Sequence, residues 1–192
     1  MKLTDGEKLI LLMLSEIYEK LGVYGETDPK FVRSTILNDM LWGLTWKYSG
    51  IPFEKTENPA AVGDVVSILD MWRLIEQSYA KLPPADKKCI ETDAVPFGEN
   101  VSFLGFDGNN ESEYMAIARF LVEDIGTFEY FKGRDFNSHV PSSLASYKRM
   151  YAVFEPMRRT LDNRDLSASQ IIEVLNAKLH PEHRGSGTSA GG

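Results

Sequence analysis

A chain of 192 residues, 43% hydrophobic and 26% charged, has the composition of a folded globular protein and a length that suits one ordinary domain with one substantial core. Its formal net charge of −7 works against nonspecific binding to a phosphate backbone, and the densest basic runs, Lys87-Lys88 and Arg158-Arg159, are too short to override that sum. A single cysteine, Cys89, excludes an intrachain disulfide and fits a reducing cytoplasm, the acidic opening lacks the basic start of a signal peptide, and the longest apolar run, residues 9–14, falls far short of the ~20 residues that span a bilayer.

Thr4 and Glu7 have the spacing of a capping box, in which each side chain satisfies a backbone N–H left unpaired by the first helical turn, so a helix is expected to start here. Leu9, Leu12, Met13 and Ile17 recur at helical spacing, Ile10, Leu11 and Leu14 widen the apolar face, and Gly22 is the stop. So apolar a helix belongs in the core or at a subunit interface. Asp28-Pro29 repeats the start signal, and the stripe Phe31, Val32, Ile36, Leu37, Met40, Leu41, Leu44 and Tyr48 predicts one long helix of roughly five turns ending near Gly50. Trp42 and Trp46, one turn apart, read as core or interface packing rather than a ligand cage.

Asn58-Pro59 opens a third helix that runs from Val62 to Leu82, where Pro83-Pro84 ends it. Residues 85–100 show no sustained period and read as a long connection with at most a short helical turn over residues 86–90. Residues 101–106 are the one strand-like stretch; lacking a partner, they are expected to be extended, with Phe103, Leu104 and Phe106 plugging the core. Asn110 with Glu113 predicts another cap, leading into Tyr114, Ile117, Leu121, Val122 and Ile125, with Gly126 at the stop and an added turn around Phe128, Tyr130 and Phe131. Residues 141–143 open a helix bearing Leu144, Tyr147, Met150, Phe154 and Met157. Ser167 with Gln170 caps a last one bearing Ile171, Leu175 and Leu179. The expected architecture is all-α, a single compact domain over residues 1–180 with about six helices and one extended segment near 101–107, followed by a disordered glycine- and serine-rich tail over 181–192.

Phe103-Leu104-Gly105-Phe106-Asp107, followed by Glu111, Tyr114, Arg119-Phe120, Gly126, Phe131, Phe136-Asn137 and Tyr147-x-Arg149-Met150, resembles the YfbU family of bacterial proteins, as do Leu166-Ser167 and Ile171 in the final helix. The resemblance spans residues 7–176 and is strongest over 101–151. It implies an all-helical cytosolic protein that self-associates, and it supplies no catalytic residues to carry over.

The chemistry legible in the residues is incomplete. Zinc needs three or four ligands, but the chain has one cysteine and three histidines, His139, His180 at the edge of the tail and His183 within it, so no metal site and no cofactor are expected. Residues 107–111 lack the alternating ligands of a calcium loop and read as a turn into a capped helix. Ser138-His139 is a sequence neighbourhood rather than a triad, and Cys89 beside Lys88 reads as an incidental loop thiol. No nucleotide-binding glycine loop occurs. Arg119, Arg149, Arg158 and Arg159 can gather around an anion, although Arg119 on an apolar face has a structural reading as the partner of Asp107, Glu111 or Asp135.

The loop Phe136-Asn137-Ser138-His139 has two open readings: a turn tied by Asn137 to its own backbone, or the mouth of a helical cleft where Asn137, His139 and Arg149 bind a small polar group. The ligand-binding candidates are therefore Asp107, Arg119, Asn137, His139 and Arg149. A helix-turn-helix is disfavoured because residues 171–179 carry one basic side chain, Lys178. The leading expectation is an interaction or regulatory module that acts as a homo-oligomer on a protein partner, with no membrane or nucleic acid. The alternative is a small-ligand sensor or enzyme with a polar pocket around Arg119, Asn137, His139 and Arg149.

Overall fold

The computed structural model describes residues 2–23, 25–54, 57–139, 143–161 and 164–179. The expected tail over 181–192, His180, His183 and Ser142 lie outside them. The described residues form eight α-helices and no strand, and they fall into two compact units. The first holds the chain up to Pro59 together with Phe120–Glu129; the second holds Ala60–Arg119 and resumes at Tyr130.

In the first unit, α1 (Asp5–Leu21) begins with the expected capping box: Glu7 N–H donates to Thr4 Oγ1 at 3.3 Å, and Thr4 N–H donates to Glu7 Oε2 at 2.7 Å. It ends at Gly22, whose φ of 62° is the left-handed geometry glycine adopts without strain. Asp28 caps α2 (Pro29–Leu37), accepting from the N–H groups of Lys30 and Phe31. The long second helix expected from the stripe is broken in two. Asp39 takes φ 55°, Met40 N–H closes back onto Thr35 O at 2.8 Å, and the chain restarts as α3 (Trp42–Lys47). Asn38-Asp39 makes this break, because aspartate and asparagine enter the left-handed region more easily than other side chains. A Cβ on Gly43 would lie 2.5 Å from Phe120 Cε1, so glycine here admits the ring that stacks on Phe31 and meets Trp42 edge-on.

The second unit is built on α4 (Ala60–Lys81), 22 residues long, with Val65, Ile68, Leu69, Met71, Trp72 and Ile75 at most 1% exposed. The connection expected over 85–100 is instead α5 (Pro84–Asp93) followed by a 3₁₀ turn, Phe97–Glu99. Proline at its first turn starts α5 without losing a hydrogen bond, and its one buried residue, Ile90, anchors it. Residues 101–107 are extended as expected, with Phe103 and Phe106 buried; Leu104, however, is 40% exposed and does not plug the core. The segment also has a partner: Phe106 N–H donates to Phe136 O and Ser138 N–H to Phe106 O, both at 2.8 Å, forming a single parallel bridge between Phe106 and Asn137. Next comes α6 (Ser112–Arg119), after which the chain continues as a π-helical stretch, Phe120–Ile125, stopped at Gly126. A 3₁₀ turn, Glu129–Phe131, α7 (Ser143–Thr160) and α8 (Ala168–Asn176) are the last elements among the described residues, α8 with the expected Ser167–Gln170 capping box.

Candidate functional site

The polar centre of the second unit is a set of carboxylates that hold backbone in place. Asp107, 4% exposed, accepts from Asn110 Nδ2 at 2.6 Å and from Asn109 N–H at 3.0 Å; these bonds, the Asn110 amide first, lower its pKa from the usual aspartate range. Glu111 reaches back to Asp107 N–H at 2.9 Å with one oxygen and takes Leu144 N–H at 2.8 Å with the other, so one buried carboxylate ties the turn before α6 to the first turn of α7. Where a reciprocal cap was expected from Asn110 and Glu113, the Glu111 carboxylate instead takes Asp107 N–H, Glu111 N–H donates to the Asp107 backbone carbonyl at 2.7 Å, and the Asn110 side-chain amide donates to the Asp107 carboxylate.

Asn137 sits above this turn. Its Oδ1 accepts from Gly108 N–H and His139 N–H, each at 3.2 Å, and its own N–H donates to Asp135 Oδ1 at 3.0 Å. Asp135 also faces Arg119 at 3.9 Å, with both side chains more than half exposed. Asp107, Asn137 and Arg119 are therefore brought into one neighbourhood, and Arg119 meets the third of its expected partners. His139 is exposed, with φ 52°. Arg149 is directed elsewhere. Its Nε donates to Ala177 O at 3.3 Å and a terminal nitrogen to Lys178 O at 2.5 Å, satisfying carbonyls that the end of α8 leaves without helical partners.

A bidentate ion pair on a buried carboxylate in this unit escaped the sequence. Glu76, 7% exposed in the middle of α4, holds Arg134 through two bonds of 2.9 and 2.8 Å and accepts Phe103 N–H at 2.6 Å. Arg134 lies over the rings of Tyr130 and Phe131, and its bonds to Glu76 raise its pKa. Burial first, then Glu76, pushes the Tyr130 phenol up. Around Phe103 are the rings of Trp72, Phe106, Phe131 and Tyr147, and the Tyr147 hydroxyl donates to Gly105 O at 2.9 Å. One signal for Glu76 was available, a lone acid one turn after Trp72 in an otherwise apolar stripe. Chemically, these carboxylates act as fixed acceptors for the 101–111 segment.

Residues 1–177 match the family model described as the YfbU domain. The chain belongs to the YfbU family. A UPF0304 protein of Methanocaldococcus jannaschii is 34% identical over 127 residues, which cover 63% of this chain and 70% of that relative. Neither description names an activity or a ligand. The run that carries the family resemblance, Phe103 to Asp107, is the segment that Glu76, Glu111 and Tyr147 fasten, so its residue types answer to packing and backbone geometry.

Two other features of the YfbU fold invite a ligand reading. The first unit has a 560 Å³ cleft bordered by Tyr18, Glu19, Glu26, Asp28 and Pro29; Asp28 is engaged at the α2 cap and with Lys47 at 3.4 Å, and Glu19 pairs with Arg33 at 3.5 Å. None of the five predicted site residues borders it. In the second unit the Lys178 ammonium lies over the rings of Trp72 and Phe97, at 5.2 and 5.0 Å, and burial lowers its pKa. Among the described residues, no group of three or more His, Cys, Asp or Glu is arranged to hold a metal, and no helix is long and apolar enough to cross a membrane.

The most unusual surface is α1. Ser15 is its one buried residue, while Leu9, Ile10, Met13, Leu14, Ile17, Tyr18 and Leu21 are 41–70% exposed. The core reading of this helix is therefore corrected: α1 rests on α2 by its Leu11–Ser15 side and turns its broad apolar stripe to solvent.

Proposed function

We propose that this YfbU chain is a protein-interaction or regulatory module of the cytoplasm, working as a homo-oligomer, with the open face of α1 as its docking surface. The observation that carries this reading is the stripe of seven large apolar side chains on one helix, each about half exposed. Soluble chains rarely leave a contiguous apolar patch beyond a few hundred Å² uncovered, and when they do the patch marks a binding surface. The exposed thiol of Cys89 suits a reducing compartment.

A small-ligand site around Asp107, Arg119, Asn137 and His139 is the weaker reading. The Asn137 carbonyl and the Arg149 guanidinium already serve backbone groups, which leaves Arg119 and His139 as the members on offer to a ligand.

The test is a photo-crosslinking amino acid placed at Leu9 in cells, with Lys88, exposed on α5, as the control position. Protein adducts at Leu9 and none at Lys88 are the expected outcome. A chain that forms no adduct from α1 is not using that face, and the interaction reading is then abandoned.

A further inference from the structure

We infer that the occupant of the α1 face is α1 of a second copy of this chain, packed antiparallel about a two-fold axis that passes beside Met13 and Leu14. This rests on the docking role given to α1 above and names its partner. Three observations lead to it. First, the stripe is symmetric about its own middle. Ile10 and Ile17 lie equally far to either side, and so do Gly6 and Leu21. Reversing the helix places Ile10 against Ile17 of the second copy and the side-chain-free Gly6 under its Leu21, while Met13 meets its Leu14 beside the axis. A self-complementary patch of this kind is what a two-fold interface requires.

Second, charge selects the antiparallel sense. The first turn of α1 carries Asp5 and Glu7, and the last carries Lys20. Antiparallel packing brings the acidic end of each helix to the basic end of the other and opposes the two helix dipoles, whereas parallel packing stacks like on like. Third, the area is adequate. Seven side chains exposing on the order of 100 Å² apiece give about 700 Å² per copy, close to the ~800 Å² per partner of a standard interface. A lipid surface fits less well, because α1 carries four acids, Asp5, Glu7, Glu16 and Glu19, against two lysines, and amphipathic helices that bind anionic membranes carry the reverse balance.

The test measures mass in solution for the full chain and for Ile17→Glu, with far-ultraviolet circular dichroism to show that the exposed substitution leaves the helices intact. The wild type is expected at twice 21.6 kDa and the variant at 21.6 kDa, with dimer affinity lowered by about 100-fold as a carboxylate is forced into an apolar seam twice over. Orientation is read by oxidation in a Cys89→Ser background. Met13→Cys crosslinks to its own counterpart. Ile10→Cys does not, because antiparallel packing separates the two copies of position 10 by seven residues, about 10 Å at ~1.5 Å per residue.

A wild type that runs at 21.6 kDa overturns self-pairing; Leu9 adducts to a different protein would then leave the docking role standing, and their absence would remove it too. A dimer unaffected by Ile17→Glu overturns the assignment to α1. Crosslinking through Ile10→Cys overturns the antiparallel sense.

Discussion

Replacing Glu76 by alanine removes the acceptor on which Arg134 and the Phe103 backbone converge. The guanidinium of Arg134 loses its two bonds to the carboxylate, and Phe103 N–H, at a position that is 5% exposed, loses the oxygen it donates to. Breaking a buried pair by deleting one partner destabilises by about 3–5 kcal/mol, and a stranded buried N–H adds about 1–3 kcal/mol. The Arg134 side chain is 32% exposed and can turn partly to water, which holds its share at the low end. The expected loss is therefore about 4 kcal/mol, or roughly 8–16 °C in Tm for a chain of this size. Urea unfolding followed by circular dichroism at pH 7 measures it. Glu76→Gln keeps an acceptor for Phe103 and should lose about half as much. In the double variant with Arg134→Ala, the combined loss should fall short of the sum of the singles by at least about 1 kcal/mol, since each single change leaves the other partner stranded. A Glu76→Ala chain within about 1 kcal/mol of wild type would show that water replaces the carboxylate freely, and the bridge would then not be what seats the 101–107 segment.

Gly105→Ala should be severe: φ there is +96°, and a Cβ would lie 2.1 Å from Phe136 O, so the bridge between the two segments must open; a loss of at least about 3 kcal/mol in the same urea experiment is expected, and a neutral result contradicts the close approach. Arg149→Met keeps the aliphatic stem and removes the donors to Ala177 O and Lys178 O, which should lower stability by about 1–2 kcal/mol and speed amide exchange at the end of α8 without touching α6. Asp107 gives a pH signature. Its folded pKa is lowered, so the stability it contributes is present above its unfolded pKa, about 3.9, and is lost as pH falls through the folded value. The Tm gap between wild type and Asp107→Asn should thus be full at pH 7, begin to narrow only below about pH 4 and close as pH falls through the folded value; a gap independent of pH would mean that the carboxylate charge is not what the Asn110 amide and Asn109 N–H recognise.

What could be read from the sequence was what is decided within one helical turn. Thr4–Glu7 and Ser167–Gln170 form their caps from residues three apart, and the stops at Gly22 and Gly126 need no knowledge of the rest of the chain. The break at Asn38-Asp39 was concealed because Met40 and Leu44 resume the apolar stripe in nearly the same phase, so periodicity ran straight through it. Helix α5 was concealed for the opposite reason: it buries Ile90 alone and has no stripe to show. The polar site divided along similar lines. The Asn137 turn is local and was one of two readings, whereas Glu76 meets Arg134 at a separation of 58 residues, and Arg149 reaches carbonyls 28 and 29 residues away. An arginine that satisfies a helix end and one that waits for an anion have the same sequence signature until the backbone positions are known.

Helix α1 shows what periodicity does and does not determine. The spacing of Leu9, Ile10, Met13 and Ile17 correctly marked a face that gains by leaving water, but in the folded chain that face stays open and α2 packs against the other side of the helix. Burial of an apolar side chain is worth about 25 cal/mol per Å², so some 700 Å² left bare represents a driving force on the order of 10 kcal/mol or more per copy, before the entropy of association is subtracted. That force is large enough to hold a second chain. It also acts during folding, where an uncovered helix invites nonspecific association. The acids Asp5, Glu7, Glu16 and Glu19 around the stripe limit that hazard, because two copies that meet in the wrong register or sense bring like charges together at the edges. The charges that border the adhesive stripe thus restrict which helix it can accept, and Lys20, opposite Asp5 and Glu7 only when the helices run antiparallel, is the residue whose reversal to glutamate should weaken pairing most for the least change in apolar area.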